Sequence, residues 1–220
     1  MKSLCDCWLY AFVDTVCLRG RAPAVVAQQL CDGGADVIQL RAKQSTGAEV
    51  LRMAEAILSV TRRAGVPLVI NDHLAVALDV GAEYCHLGQE DFFDIGRRHV
   101  SQLFGAARPQ AAGGGRIGIG LSTHGQDQAQ RALAAGPDYI GVGPVYATTT
   151  KPDAQPIASD YLRWAGNHVR IPWFAIGGIN LGNLDQVLSA GATRICVVSA
   201  ILNAEDVGGA CRKFKQRLGR

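Results

Sequence analysis

In the segment VIQLRAK, Gln39, Arg41 and Lys43 alternate with Leu40 and Ala42. Alternate residues of an extended chain point to the same side, so an amide, a guanidinium and an ammonium share one face and could grip a polyanion. The plainer alternative is that the strand has ended there and its side chains are simply solvated. Two further segments bear on the choice: Asn71-Asp72 closes the run LVIND, and Asp91 closes Gly88-Gln89-Glu90-Asp91. If the strands before them are neighbours, Asp72 and Asp91 approach one another, and two close carboxylates repel unless a cation lies between them. A hard divalent ion such as Mg2+ suits so sparse a ligand set, with water and substrate phosphates filling its remaining positions. Asp72 alone, ahead of LAVAL, would also fit a helix N-cap. Beside Arg41 and Lys43, a metal with a phosphate is the better account.

Four more segments carry polar groups of the same kind. Ser122-Thr123-His124 follows an apolar run, but no Gly-x-Ser-x-Gly elbow surrounds Ser122, so a cap suits it better than a nucleophile. His124 has no carboxylate partner in sequence, which leaves general-base work possible and unsupported. GVGPVYATTTKPDA runs from a strand into Thr148, Thr149, Thr150 and Lys151, either an ordinary solvated loop or hydroxyls and a cation facing phosphate. Gly177-Gly178-Ile179-Asn180 and Val198-Ser199-Ala200 offer backbone N–H groups and a close approach at Gly178, the composition of a phosphate cradle.

These groups can meet only if the elements before them deliver them to one place. Four stretches look alike: GADVIQLR, GAEYCHLG, GPDYIGVG and GATRICVVS, beginning at Gly34, Gly81, Gly136 and Gly191. Each reads as a helix stop at glycine, a tight turn and a strand. Runs at 8–13, 68–71, 116–121 and 173–177 supply four more strands. Helical patterns at 23–31, 47–64, 74–80, 96–104, 126–135, 159–166, 181–190 and 206–218 separate them, and Thr46 with Glu49 forms a capping box at the second. Strict alternation of apolar strands with helices implies a parallel sheet. Eight units predict an α/β fold, a (β/α)8 TIM barrel, filling residues 1–220 as one domain, with an open doubly wound sheet as the alternative. In a barrel, every segment named above lies at the mouth formed by the strand C-termini. The glycine-rich 111–116 reads as a flexible connector, because the alternation continues across it.

Composition limits the partners. A chain of 220 residues with 48% hydrophobic and 19% charged residues can bury a full core. A net charge of +3, with its 22 basic residues scattered, asks for neither nucleic acid nor a membrane surface. The first residues, MKSLCDCWLYAFVD, hold no apolar stretch long enough for a signal peptide or a membrane helix, which predicts a cytoplasmic protein. Seven cysteines in apolar surroundings read as reduced buried thiols, and Cys5 with Cys7 lacks the second pair that a zinc site needs.

The elements VIQLRAK, LVINDHLAVALDVGAEYCHLGQED, IGLSTH, PDYIGVGPVYATTTKPDA and FAIGGINLGNLDQVLSAGATRICVVSAI span nearly the whole chain, and together the sequence closely resembles the thiamine phosphate synthase family. The resemblance implies a barrel transferase of thiamine biosynthesis that joins 4-amino-2-methyl-5-hydroxymethylpyrimidine diphosphate to a thiazole phosphate and releases diphosphate. It implies that Gln39, Arg41, Lys43, Asn71 and Lys151 hold the pyrimidine diphosphate, Asp72 and Asp91 its Mg2+, and Ser122 the pyrimidine. Thr148, Thr150, Gly178, Val198 and Ser199 would hold the thiazole phosphate. Arg41, Lys43, Lys151 and Ser122 form the implied catalytic set, and self-association is left open. His73 stands where an arginine is common, Ala147 where a proline often precedes Thr-x-Thr, and the connector 92–116 is long. Rival expectations are a thiazole tautomerase on the same barrel and a silent barrel that only binds thiamine precursors.

Overall fold

The computed structural model describes residues 2–105, 107–110, 116–147 and 159–219. Eight parallel strands hydrogen-bond in chain order and close, the first pairing with the last: β1 (Leu9–Asp14), β2 (Val37–Arg41), β3 (Leu68–Asn71), β4 (Tyr84–Leu87), β5 (Gly118–Thr123), β6 (Tyr139–Val142), β7 (Trp173–Ala175) and β8 (Ile195–Val197). Helices α1 (Pro23–Asp32), α2 (Gly47–Ala64) and α3 (Leu74–Val80) follow the first three strands, and a short α4 (Gln89–Phe92) follows β4. Then come α5 (Gln126–Ala134), α6 (Ser159–His168), α7 (Leu184–Ser189), α8 (Ser199–Leu202) and α9 (Val207–Arg217). The closed barrel is the expected architecture, and closure rules out the open sheet.

The local signals act as expected. Gly34, Gly81, Gly136 and Gly191, one per repeat, all have positive φ, between 70° and 99°, a region closed to most side chains. The capping box forms: Glu49 N–H donates to Thr46 Oγ1, and Thr46 N–H donates to Glu49 Oε2 at 2.7 Å. Strands one to three, five and six are buried along most or all of their length, as a sheet covered by helices on one face and filled by side chains on the other requires.

Several boundaries differ from the sequence reading. The expected helix at 96–104 does not form. A four-residue helix opens directly after β4 at Gln89, Gly96 turns the chain at φ 86°, and only a 3-10 turn at Val100–Leu103 follows. β5 runs two residues past its expected end, so Ser122 is a strand residue and not a helix cap. α7 starts at Leu184, not at 181, because Asn183 Nδ2 donates to the Gly178 carbonyl and its Oδ1 accepts the Asn180 N–H, holding 178–183 as a turn. α8 was not anticipated. Of the connector expected at 111–116, residues 111–115 lie outside the described residues, and Arg116 forms an isolated antiparallel bridge with Gln110.

At the N-terminal end of the barrel one buried carboxylate ties the closure together. Asp36, 1% exposed, accepts from Lys2 Nζ at 2.9 Å, from Lys215 Nζ at 2.6 Å and from the N–H groups of Trp8 and Leu9, both at 3.0 Å. It links the start of the chain, β1 and α9. Burial alone would raise its pKa, but these donors outweigh that and hold the carboxyl below its usual value.

Candidate active site

The register sets which side chains reach the interior. Phe12 pairs with Gln39 and Asp14 with Arg41 across β1 and β2, and Gln39, Arg41, Asn71, His86, Ser122 and Ser199 line one cavity of about 120 Å³ at the strand C-termini. Its floor is aromatic. Tyr10 and Tyr139 each meet Phe174 edge-on, with centroids 5.2 and 5.8 Å apart, and such pairs add roughly 0.5–1.5 kcal/mol each beyond their burial. Gly120 pairs with Tyr139 in the register and lies under its ring, where a Cβ would collide with the phenol.

The expected trio of β2 is brought to the mouth, but it divides. Gln39 is 3% exposed and donates through Nε2 to Tyr10 Oη at 2.7 Å. Arg41 Nη1 reaches Asp14 Oδ2 at 2.8 Å, and Asp14, fully buried, also accepts the Val16 N–H at 3.1 Å. Arg41 is therefore held by a carboxylate of its own. Lys43, just beyond the strand, turns to the aspartate pair: its Nζ lies 3.5 Å from Asp72 Oδ2.

Asp72 caps no helix; the cap position of α3 is His73. Asp72 has φ 64°, rare for a non-glycine residue. Its N–H donates to the His86 carbonyl at 2.9 Å, and Asn71 Nδ2 donates to Asp72 Oδ2 at 2.5 Å. The turn is thus fixed from both sides, and it delivers the carboxylate to the rim instead of to the helix. Burial, and next the charge of Asp91, push the Asp72 carboxyl above its usual range, with Lys43 pulling the other way. The two aspartates meet, as the pairing of β3 with β4 allows. Asp91 is presented by α4, which is anchored by Gln89: its Nε2 donates to the Ser122 carbonyl at 2.5 Å, while Arg131 donates to its Oε1 at 2.6 Å and stacks over Phe93. Among the described residues no group of three or more His, Cys, Asp or Glu side chains is gathered for a metal, so any cation here would rest on this pair.

On the opposite rim, Gly178 has φ 65° and Val198 precedes α8, whose first turn receives no side-chain cap. Gly178, Val198 and Ser199 all line the cavity. His124 lines it too, with Nδ1 2.5 Å from the Gly143 carbonyl. Thr148, Thr150 and Lys151 lie outside the described residues.

Sequence reasoning missed four side chains here: Asp14, Tyr10, Tyr139 and His86. Asp14 looked like the residue after a strand. The signal for Tyr139 was the alternation in GIGL, since Gly118 and Gly120 leave space that the rings of Tyr84 and Tyr139 fill.

Residues 9–201 match the family described as thiamine monophosphate synthase. The thiamine-phosphate synthase of Halalkalibacterium halodurans is 41% identical over 210 residues, 95% of this chain and 94% of that protein. That of Thermus thermophilus is 44% identical over 84% of each chain. The solved thiamine phosphate pyrophosphorylase of Pyrococcus furiosus superposes with a TM-score of 0.81 at 30% identity, over 96% of this chain and 95% of that one. A 3-hexulose-6-phosphate synthase, 20% identical with a TM-score of 0.64, shares the fold. With its barrel closed, its aspartates paired at the mouth and its sequence matched from β1 into α8, this chain belongs to the thiamine monophosphate synthase family.

Proposed function

We propose that this chain is the transferase that condenses the aminopyrimidine diphosphate with a thiazole phosphate, giving thiamine phosphate and diphosphate. The observation that carries the reading is the meeting of Asp72, Asp91 and Lys43 on the rim of a cavity that Gln39 and Arg41 enter from below. Two carboxylates whose charges oppose one another suit a divalent cation better than an empty rim.

In this assignment Gln39, Arg41, Lys43, Asn71 and Lys151 hold the pyrimidine diphosphate, and Asp72 and Asp91 hold Mg2+. Ser122 faces the pyrimidine. Thr148, Thr150 and the backbone at Gly178, Val198 and Ser199 hold the thiazole phosphate. The C–O bond to diphosphate breaks first, because an electron-rich aminopyrimidine methylene can bear the positive charge, and the thiazole nitrogen then attacks that carbon. No protein nucleophile is needed. Mg2+, when bound, would neutralise charge on the leaving diphosphate. Arg41, Lys43 and Lys151 add fixed positive charge, and the aromatic floor keeps water from the cation.

An isomerase acting on the thiazole alone would have no use for the acidic pair or for Lys43 beside it. The reading places the enzyme in the cytoplasm, with residues 1–220 acting as one domain; no helix among the described residues is long and apolar enough to cross a membrane. The test is diphosphate release on mixing both substrates with Mg2+. Release that needs both substrates and the metal supports the synthase, and no release under any combination overturns it.

A further inference from the structure

Five side chains from five different strands form one unbroken hydrogen-bonded path under the cavity. Gln39 Nε2 is 2.7 Å from Tyr10 Oη, Tyr10 Oη is 3.1 Å from Tyr139 Oη, Tyr139 Oη is 3.0 Å from His86 Nδ1, and His86 Nε2 is 2.9 Å from Ser122 Oγ. Both phenols are about 1% exposed, so each must place its single proton on a partner inside the protein.

That requirement gives the path a direction. The Gln39 amide nitrogen can only donate, so Tyr10 Oη accepts from it. The remaining partner of Tyr10 Oη is Tyr139, which must take the Tyr10 proton. Tyr139 then donates to His86 Nδ1, so the imidazole carries its proton on Nε2 and donates to Ser122 Oγ. The serine oxygen has accepted, and its own proton is left to point into the cavity. The opposite direction would leave the Tyr10 proton facing the donor end of the amide, a buried clash costing more than a typical hydrogen bond is worth.

We propose that Tyr10, Tyr139 and His86 are positioning residues that commit the Ser122 hydroxyl to donating, so that it recognises an uncharged acceptor such as a ring nitrogen of the aminopyrimidine. The inference rests on the placing of Ser122 at the pyrimidine and deepens it. It explains why a barrel core spends two tyrosines and a histidine on polar contacts where apolar side chains would fill the space. The phenols stay protonated throughout, since burial lifts both well above their usual range.

Nitrogen-15 NMR of histidine-labelled full-length protein reads the direction without any substrate. The His86 resonances, assigned by their loss in His86→Asn, are expected to show the Nε2–H tautomer; an Nδ1–H tautomer overturns the proposal. Tyr139→Phe keeps the ring and removes the link. It is expected to raise KM for the pyrimidine diphosphate about tenfold, near the worth of one neutral hydrogen bond, with KM for the thiazole phosphate changed less than twofold. Tyr10→Phe, which leaves the last two links in place, gives a smaller change of the same kind. An equal rise in both KM values, or a fall in kcat alone, overturns the positioning role. If the wild type releases no diphosphate, the synthase reading fails by itself, while the tautomer still decides the direction of the path.

Discussion

Arg41 Nη1 lies 2.8 Å from Asp14 Oδ2, a carboxylate with no exposed surface. The pair joins neighbouring strands at their C-terminal ends, and it fixes where the guanidinium can present its remaining N–H groups to an anion. Asp14→Asn keeps the shape and removes the charge. Leaving one member of a buried pair alone costs roughly 3 kcal/mol, so urea denaturation should show a loss of that order. Arg41 also becomes free to wander, and steady-state kcat/KM for the pyrimidine diphosphate should fall about tenfold or more, a loss of some 1.4 kcal/mol in transition-state binding. Unchanged kcat/KM would mean that Arg41 needs no such support.

Asp91→Asn separates stability from activity. Burial and the Asp91 charge together raise the Asp72 carboxyl, so at neutral pH the ionised pair strains the metal-free fold. Removing one charge should stabilise the metal-free protein slightly, by on the order of 1 kcal/mol or less, and so raise its melting temperature. The same variant should lose the stabilisation that Mg2+ gives the wild type, and most of its turnover. Thermal scans with and without Mg2+ check both, and a variant still stabilised by Mg2+ would remove Asp91 from the metal site.

Gly178→Ala tests the opposite rim. Its φ of 65° disfavours any side chain, and a Cβ would lie 2.7 Å from both the Ala147 carbonyl oxygen and Tyr146 Cβ. A cost of about 1–3 kcal/mol is expected. Because the turn must shift, KM for the thiazole phosphate should rise at least tenfold, about 1.4 kcal/mol, while KM for the pyrimidine diphosphate holds. Paired KM measurements decide it.

Asp36→Asn bears on acid stability. The carboxyl is held below its usual value of 3.8, so its contribution is present at pH values above 3.8 and is lost as pH falls through the depressed folded-state value. At pH 7 the variant should lose roughly 2–4 kcal/mol, since Lys215 and Lys2 keep their charges without a partner. As pH drops below 3.8, wild type and variant should converge. Denaturation midpoints across pH 2–7 test the sign, and a gap that widens toward acid would contradict it.

Much of this was legible in the sequence because it is written in local chemistry. Gly34, Gly81, Gly136 and Gly191 stop helices by their own conformational freedom and mark four strands after them, and the apolar runs before and between these repeats supplied the other four, so strand number and order followed. Asp72, Asp91 and Lys43 were found because each stands just past a strand end, where a barrel gathers its loops. What escaped depends on partners distant in sequence. Nothing local says that Tyr139 faces His86, 53 residues away, or that Asp14 receives Arg41 and not solvent. The helix expected at 96–104 failed for a related reason. Gln89 is drawn into a helical turn by contacts to Ser122 and Arg131, which spends the helix early and leaves the later residues to turn at Gly96.

The Asp36 clasp and the cavity sit at opposite poles of the same cylinder, one where the strands begin and the other where they finish. Substitutions that retune the rim for a different phosphorylated substrate need not loosen the fastening that joins the first strand to the last helix. Such a chassis can change its chemistry at one pole while its integrity is kept at the other.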